Sequence, residues 1–292
     1  MSGLSVVALS LVLGAAIIHA LWNLGAKSAS SEDPMAVTLL ATCTSVVGVA
    51  PFVVFVAIHH EIRLSNEILT FLCGTAVLHT AYFLGLQFAY RNSAYTQVYP
   101  IARGMGPGFA LVGAVLFLGE SPTIEEVLGA VVLIGGVVLV GLSLQGPRIK
   151  INGHAIRSGG AIGVLIGTYT LWDAYAVQHL GVSPILEDWS ASVGRALVLG
   201  AVVLASQRNV VPTLSRAWRP ILLIGLGSSA AYLMVLFAYH SATVAQIAPL
   251  REIGVVVGVF VGGVFFREGG RSWRVIGAVV VVIGAALIAG VR

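Results

Sequence analysis

Apolar and polar positions alternate along this chain on a scale of about twenty residues. Apolar stretches run at roughly 4–26, 35–58, 67–89, 94–118, 124–143, 158–180, 184–206, 219–239, 243–266 and 272–291. Short polar segments separate them, among them Ser28 to Pro34, His59 to Asn66 and the Glu120-Ser121-Pro122-Thr123 turn. Crossing ~30 Å of hydrocarbon takes roughly 20 apolar residues in a helix, and the stretches have about that length. A lone strand would leave its backbone groups unsatisfied in lipid, so helix is expected throughout. The pattern predicts an all-α membrane protein of ten transmembrane helices.

Composition agrees. Only 10% of the 292 residues are charged and 58% are hydrophobic, with a mean hydropathy of +0.97. A water-facing domain carries about 25% charged residues, so most of this surface faces something else. The 35 glycines suit helices that approach closely in lipid. The net charge of +4 could suggest a nucleic-acid partner. The basic residues sit in short loops instead, which is a membrane-orienting pattern. The apolar run begins at Leu4 with no basic segment before it, and reads as a retained first helix. Cys43 and Cys73 fall inside apolar stretches and form no disulfide framework.

The loop from Gln145 to Ser158 divides the chain, and its two sides repeat each other. Ala89-Tyr90, Gln97 and Pro100 recur at one constant offset as Ala238-Tyr239, Gln246 and Pro249, and Leu21-Trp22-Asn23 answers Leu171-Trp172-Asp173. Each half then runs through a Gly/Val-rich stretch to an acid, Glu120 or Glu268. The expected organisation is a five-helix repeat over 1–145, a connecting loop over 146–157 and a second repeat over 158–292. Five is odd, so the second copy enters the membrane from the opposite side. Inverted repeats of this kind are common in secondary transporters, whose solute site lies between the halves.

Loop charge gives an orientation. Lys27, Arg91, Arg148, Lys150, Arg157, Arg208, Arg216, Arg219, Arg267, Arg271 and Arg274 fall on one side, and Arg63 and Arg292 on the other. The positive-inside rule makes the rich side cytoplasmic and puts both termini outside.

An ionisable group at a helix centre costs about 2.5–3.5 kcal/mol on insertion scales, so those inside the stretches are candidates for function. Arg103 lies three residues beyond Pro100; Glu252 lies three beyond Pro249 and is preceded by Arg251. An Arg103–Glu252 ion pair could simply hold the halves together. Equally, the arginines could bind an anionic solute, since the planar guanidinium fork suits carboxylate or phosphonate oxygens. Two arginines against one glutamate leave a positive charge over. Asp173, flanked by Tyr169, Trp172 and Tyr175 and answered in the first half by Asn23, is suited to bind an ammonium group or carry a proton. Glu252 shares the proton-coupling candidacy. Arg195 is a further mid-helix charge, with Glu187 and Asp188 expected to cap its helix at the membrane interface. Trp22, Trp172, Tyr82, Tyr99 and Tyr232 could line an aromatic wall. His79 joins the candidate substrate-binding set; His19 is a weaker titratable candidate. Pro100 and Pro249 are expected to kink their helices. No Walker motif, nucleophile elbow or HExxH pattern occurs, and the histidines and cysteines lack ligand spacing. Neither an enzyme activity, a cofactor, a metal nor a nucleic-acid partner is expected.

The run His19-Ala20-Leu21-Trp22-Asn23 with Lys27, the stretch from Ala89 to Gly104 followed by Leu118-Gly119-Glu120, and Ala248-Pro249-Leu250-Arg251-Glu252 together resemble the EamA branch of the drug/metabolite transporter superfamily. The Ala102-Arg103-Gly104 and Leu250-Arg251-Glu252 segments resemble a subset associated with phosphonate utilisation. The resemblance implies a ten-helix inverted-repeat carrier of metabolites, often an exporter, in a bacterial cytoplasmic membrane, as monomer or homodimer. It also implies cytoplasmic termini, opposite to the loop-charge reading. The small drug exporters of that superfamily use an acid in their first helix, where this chain has Asn23. The expected function is therefore transport of a small zwitterionic or anionic solute such as an amino acid or aminophosphonate. A flippase for a lipid-linked substrate and an exporter of cationic or aromatic drugs are the alternatives.

Overall fold

In the computed structural model, residues 4–29, 31–59, 65–92, 95–142, 153–257 and 271–290 are described. Their regular structure is helical: α1 (Val6–Ser28), α2 (Pro34–His59), α3 (Asn66–Asn92), α4 (Tyr95–Phe117), α5 (Ile124–Leu142), α6 (Gly153–Gln178), α7 (Pro184–Ala205), α8 (Val211–Ala238), α9 (Val244–Leu250) and α10 (Arg271–Ala289). Within the described residues, α2, α5, α7, α8 and Asn66–Leu86 of α3 are long and apolar enough to cross a membrane; the apolar parts of α1, α4 and α10 are shorter.

Three boundaries differ from the hydropathy reading. Helix α6 begins at Gly153 rather than 158, because a polar first turn precedes its apolar part. Helix α8 begins at Val211 rather than 219, with a non-helical residue at Ala217 (φ −121°, ψ 22°) just before Pro220. Hydropathy sees only the apolar portion beyond that kink. The ninth stretch is not continuous: α9 stops at Leu250, and helical residues resume at 253–257. The connecting loop from 146 to 152 lies outside the described residues.

Local sequence sets the turns. Asp33 precedes Pro34 and accepts the Met35 N–H (2.9 Å), so a carboxylate and a first-turn proline start α2. Thr123 and Glu126 make a reciprocal capping box at α5, and Thr243 and Gln246 another at α9. Gly119 sits at φ 67°, open to a residue without Cβ, and lets the Glu120 N–H return to the Ala114 carbonyl (3.1 Å).

Burial runs opposite to that of a water-soluble protein. Large apolar side chains such as Val47, Phe52, Ile58, Phe117, Leu197 and Leu204 cover the outside, while Arg103, Asp173, Glu187, Asp188 and Glu252 are buried. An outer surface this apolar needs a lipid solvent.

The packing joins N-terminal helices mainly to C-terminal ones. Helix α1 packs on α8 and α3 on α6; α2 packs on α7 and α8, and α3 on α7; α4 meets α6 and α9, and α5 meets α10. Small residues bring the backbones together. Gly159, Gly163 and Gly167 on α6 lie against α4: a Cβ on Gly163 would stand 3.4 Å from the Ala102 carbonyl oxygen and one on Gly167 3.3 Å from that of Gly106. This is close small-xxx-small packing. Between α5 and α10, a Cβ on Gly136 would lie 2.8 Å from the Val281 nitrogen and 2.9 Å from the Gly277 oxygen.

At the α1–α2 turn, Asp33 pairs with Arg208 of the α7–α8 turn (2.7 Å). Burial pushes the Asp33 carboxyl up, but the Arg208 hydrogen bond and charge, with the Met35 N–H, hold it below the usual carboxylate range.

Two predictions follow from these contacts. Gly136→Val should cost ~1–3 kcal/mol and lower the melting temperature in detergent, whereas Gly135→Val, where a Cβ meets nothing within 4 Å, should not. Equal losses would contradict the close α5–α10 contact. The Asp33 pair is fully formed above the ordinary carboxylate range and is lost as pH falls through its lower folded value. The melting difference between Arg208→Gln and the parent should therefore be present at neutral pH, at most ~1 kcal/mol, and vanish in strong acid. A difference that grows on acidification would contradict the pairing.

Candidate functional site

The break after α9 builds the centre of the site. Pro249 has no N–H to give back to the helix, and the bonds that follow tighten to three-residue spacing. The Glu252 N–H donates to the Pro249 carbonyl (2.9 Å), that of Gly254 to Arg251 (3.2 Å) and that of Val255 to Glu252 (2.9 Å). Such tightening mid-helix marks hinges and sites. It delivers Arg251 and Glu252 side by side into the protein interior. Gly254 follows because the chain there passes against α1, where a Cβ would meet Ala16 Cα at 3.3 Å.

Arg103 of α4 meets Glu252 from the other side, Nε to Oε2 at 2.7 Å, and Arg251 Nε stands 3.8 Å from Glu252 Oε1. Two guanidinium groups thus share one fully buried carboxylate. Arg251 Nε and Nη2 are buried without a hydrogen-bond partner, and its guanidinium lies 5.9 Å from the Tyr169 ring centroid. An arginine with unmet buried donors is suited to an oxyanion.

Both arginines line a cavity of about 490 Å³ that reaches from the α1–α2 turn (Ala29, Glu32, Pro34) down to Asp188, Arg195 and Tyr232. Trp22, His19, His79, Tyr82 and Tyr169 also line it. The buried Trp22 Nε1 lacks a partner.

A second polar cluster lies beyond the Tyr169 ring, which is 4.4 Å from the His79 ring. Asp173 of α6 accepts from Thr75 Oγ1 (2.5 Å) and from the Tyr232 hydroxyl, and His79 Nε2 stands 2.8 Å from its Oδ2. Asp173 itself is fully buried, whereas His79 and Tyr232 reach the cavity. Glu187 and Asp188 are not interfacial caps. They are 0% and 4% exposed, because the first turn of α7 packs inside the bundle rather than at its rim. Asp188 faces Ser229 and Arg195, and Arg195 Nη2 donates to Ser192 Oγ (3.4 Å).

The sequence missed Thr75, Glu187 and Asp188 as members of this cluster. Acids placed three and four residues past Pro184 look like ordinary helix-start residues. A signal was nonetheless there: Trp189 follows them, and its indole donates to the Val46 carbonyl of α2 (3.1 Å), so this turn is an interior one.

Not every predicted residue reaches the cavity. The Trp172 indole donates to the Phe71 carbonyl (2.9 Å) and stacks on the Phe71 ring (4.3 Å), and Tyr175 stacks on the same ring (5.2 Å). Neither lines the cavity. The side chains of Asn23, Tyr99 and Pro100 lie outside the described residues.

At the opposite end the bundle is closed by hydrogen bonds, some between the chain's two sides and some within the second. Glu120 accepts the N–H groups of Val244 (2.7 Å) and Ala245 (2.9 Å), so an acid from the α4–α5 turn caps α9. Gln246 donates to Glu126 (2.6 Å), and Gln178 donates to the carbonyls of Tyr239 (3.0 Å) and Ala242 (3.1 Å).

Comparison with known proteins agrees with this architecture. One solved protein crystal structure superposes with a TM-score of 0.77 at 14% identity, covering 96% of this chain and 97% of its own. At that identity the likeness establishes the fold alone. No curated protein matches the sequence. Residues 6–142, just under half of the chain, match the model of the EamA-like transporter family, a family of the drug/metabolite transporter superfamily, and with its apolar helices the chain is an integral, multi-pass membrane protein.

Proposed function

We propose that this chain is a secondary transporter that moves a small zwitterionic or anionic organic solute by alternating access. Its ten spans form two inverted five-helix repeats, 1–145 and 158–292. The packing supports that reading: exchanging each helix with its counterpart five places along turns α1–α8 into α6–α3 and α2–α8 into α7–α3, and leaves α2–α7, α4–α9 and α5–α10 unchanged. An open cavity toward the α1–α2 turn and a hydrogen-bonded opposite end are what one state of such a carrier requires.

The observation that carries the solute class is the pair of guanidinium groups around Glu252. One positive charge is left over there, with donors of Arg251 unmet. Across Tyr169, the acids Asp173, Glu187 and Asp188 outnumber Arg195. A cavity positive at one end and acidic at the other suits a zwitterion: its anionic group on Arg251 and Arg103, its ammonium toward the acid cluster. In this reading Asp173 couples transport to protons. Phosphonate and carboxylate oxygens present the same chemistry to a guanidinium, so either class fits.

Arg251 is the better test residue. Removing Arg103 would take from the buried Glu252 its 2.7 Å partner and leave it Arg251 at 3.8 Å; breaking a buried pair costs ~3–5 kcal/mol and confuses binding with folding. Thermal-shift screening of the purified protein against amino acids, aminophosphonates, amines and lipid precursors should find hits among the zwitterions or anions. Arg251→Gln should weaken such a hit at least tenfold, the ~1.5–3 kcal/mol of one charged hydrogen bond; unchanged affinity would remove Arg251 from the site. Uptake of the hit into proteoliposomes driven by a pH gradient should be lost in Asp173→Asn, while exchange at equal pH persists. Undiminished pH-driven uptake would exclude coupling through Asp173.

A further inference from the structure

Glu187 is a buried acid that does not itself line the cavity. It is fully buried, and neither of its carboxyl oxygens has a hydrogen-bond donor. Its carboxyl neighbours the Asp173 carboxyl and the Thr75 hydroxyl. Thr75 has one hydroxyl proton and spends it on Asp173 Oδ1 at 2.5 Å. Asp173 is already supplied by Tyr232 and faces His79. An ionised Glu187 would therefore be a bare buried charge against a second carboxylate, an arrangement the interior cannot hold. Satisfying both acids takes one proton between them, carried by Glu187 and donated toward Asp173.

We propose that Asp173 and Glu187 form the proton-binding site of this carrier, a carboxyl pair that holds one shared proton and exchanges it with the cavity through His79 and Tyr232. The proposal rests on the transporter reading and deepens it: it gives Glu187, counted above only as one acid of the cluster, a specific part, and gives the proton's route. In the exchange step the O–H bond on Glu187 breaks as one forms on Asp173. His79 Nε2 takes that proton from Asp173 and passes it to water in the cavity. The Tyr232 hydroxyl stands 3.4 Å from His79 Nε2, so it can hold Asp173 while the imidazole turns over. Other groups that face the pair are Asp188 of α7 and Tyr239 at the end of α8, with Arg195 beside Asp188 and Tyr169 beside His79. Asp188 has Ser229 and Arg195 beside it, whereas the Glu187 oxygens have no donor. On the side away from the cavity, Trp172 and Tyr175 stack on Phe71, so in this state the pair exchanges only with the cavity.

The test reads the proton rather than transport, so its failure is separable from failure of the carrier reading. Full-length protein is reconstituted in phosphatidylethanolamine–phosphatidylglycerol vesicles, and the infrared band of protonated carboxyl groups is followed with pH in H₂O and D₂O. The parent should show a deuterium-shifted buried-carboxyl band at neutral pH that Glu187→Gln removes. Asp173→Asn should keep the band but move it, because the partner of the hydrogen bond has changed. This second variant also decides the matter if Glu187→Gln does not fold. No such band in the parent, or a band unaltered in either variant, overturns the pair. Loss of the parent's band on adding sodium but not potassium chloride also overturns it, and makes the site a sodium site. If the infrared results hold while no solute is transported, the pair stands and the carrier reading falls.

Discussion

The Arg103–Glu252 ion pair is the contact on which the rest of this molecule depends. It joins the fourth helix to the break after the ninth, at 2.7 Å and out of water. A buried pair is a poor source of net stability, because desolvation offsets the Coulomb gain. What it supplies here is position. With Glu252 held by Arg103, the neighbouring Arg251 stands 3.8 Å from the same carboxylate and keeps donors unpartnered. Among the described residues, this part of the cavity wall carries two guanidinium groups against one carboxylate.

Everything around the pair serves to hold the backbone that carries it. Glu120 anchors the start of α9 by accepting two of its N–H groups. The left-handed Gly119 brings Glu120 to that spot. The glycines of α6 let it lie close on α4, which sets Tyr169 and Asp173 beside the cavity that Arg103 lines. Rigid helix pairs and a short three-residue-spaced turn divide the labour: the pairs fix distances, and the turn aims the charges. The hydrogen bonds that close one end join turns and helix starts.

Much of this was legible in the sequence, and the rest was hidden for identifiable reasons. Length and hydropathy located most helices, because lipid imposes a minimum span on any helix. The matching Pro100–Arg103 and Pro249–Glu252 spacings pointed to the pair that the structure forms. Hydropathy could not see the polar first turn of α6 or the segment of α8 before Pro220. It misjudged Glu187 and Asp188, since an acid at a helix start is at home either in a cap or in a core, and only packing decides. Nor could it tell that Trp172, beside Asp173, turns to Phe71 while His79, ninety-four residues from Asp173, turns to the carboxylate. The Gly159-Gly163-Gly167 spacing is readable in the sequence, and its partner helix is not.

In the proposed function, the charge at the Arg103–Glu252–Arg251 cluster receives the solute's anionic group. A structure determined with a thermal-shift hit bound tests it most directly. The account predicts the carboxylate or phosphonate oxygens within about 3 Å of Arg251, with Arg103 still on Glu252 and the ammonium toward the acid cluster across Tyr169. A solute bound with its anionic group away from both arginines, or with its cationic end against them, would contradict it.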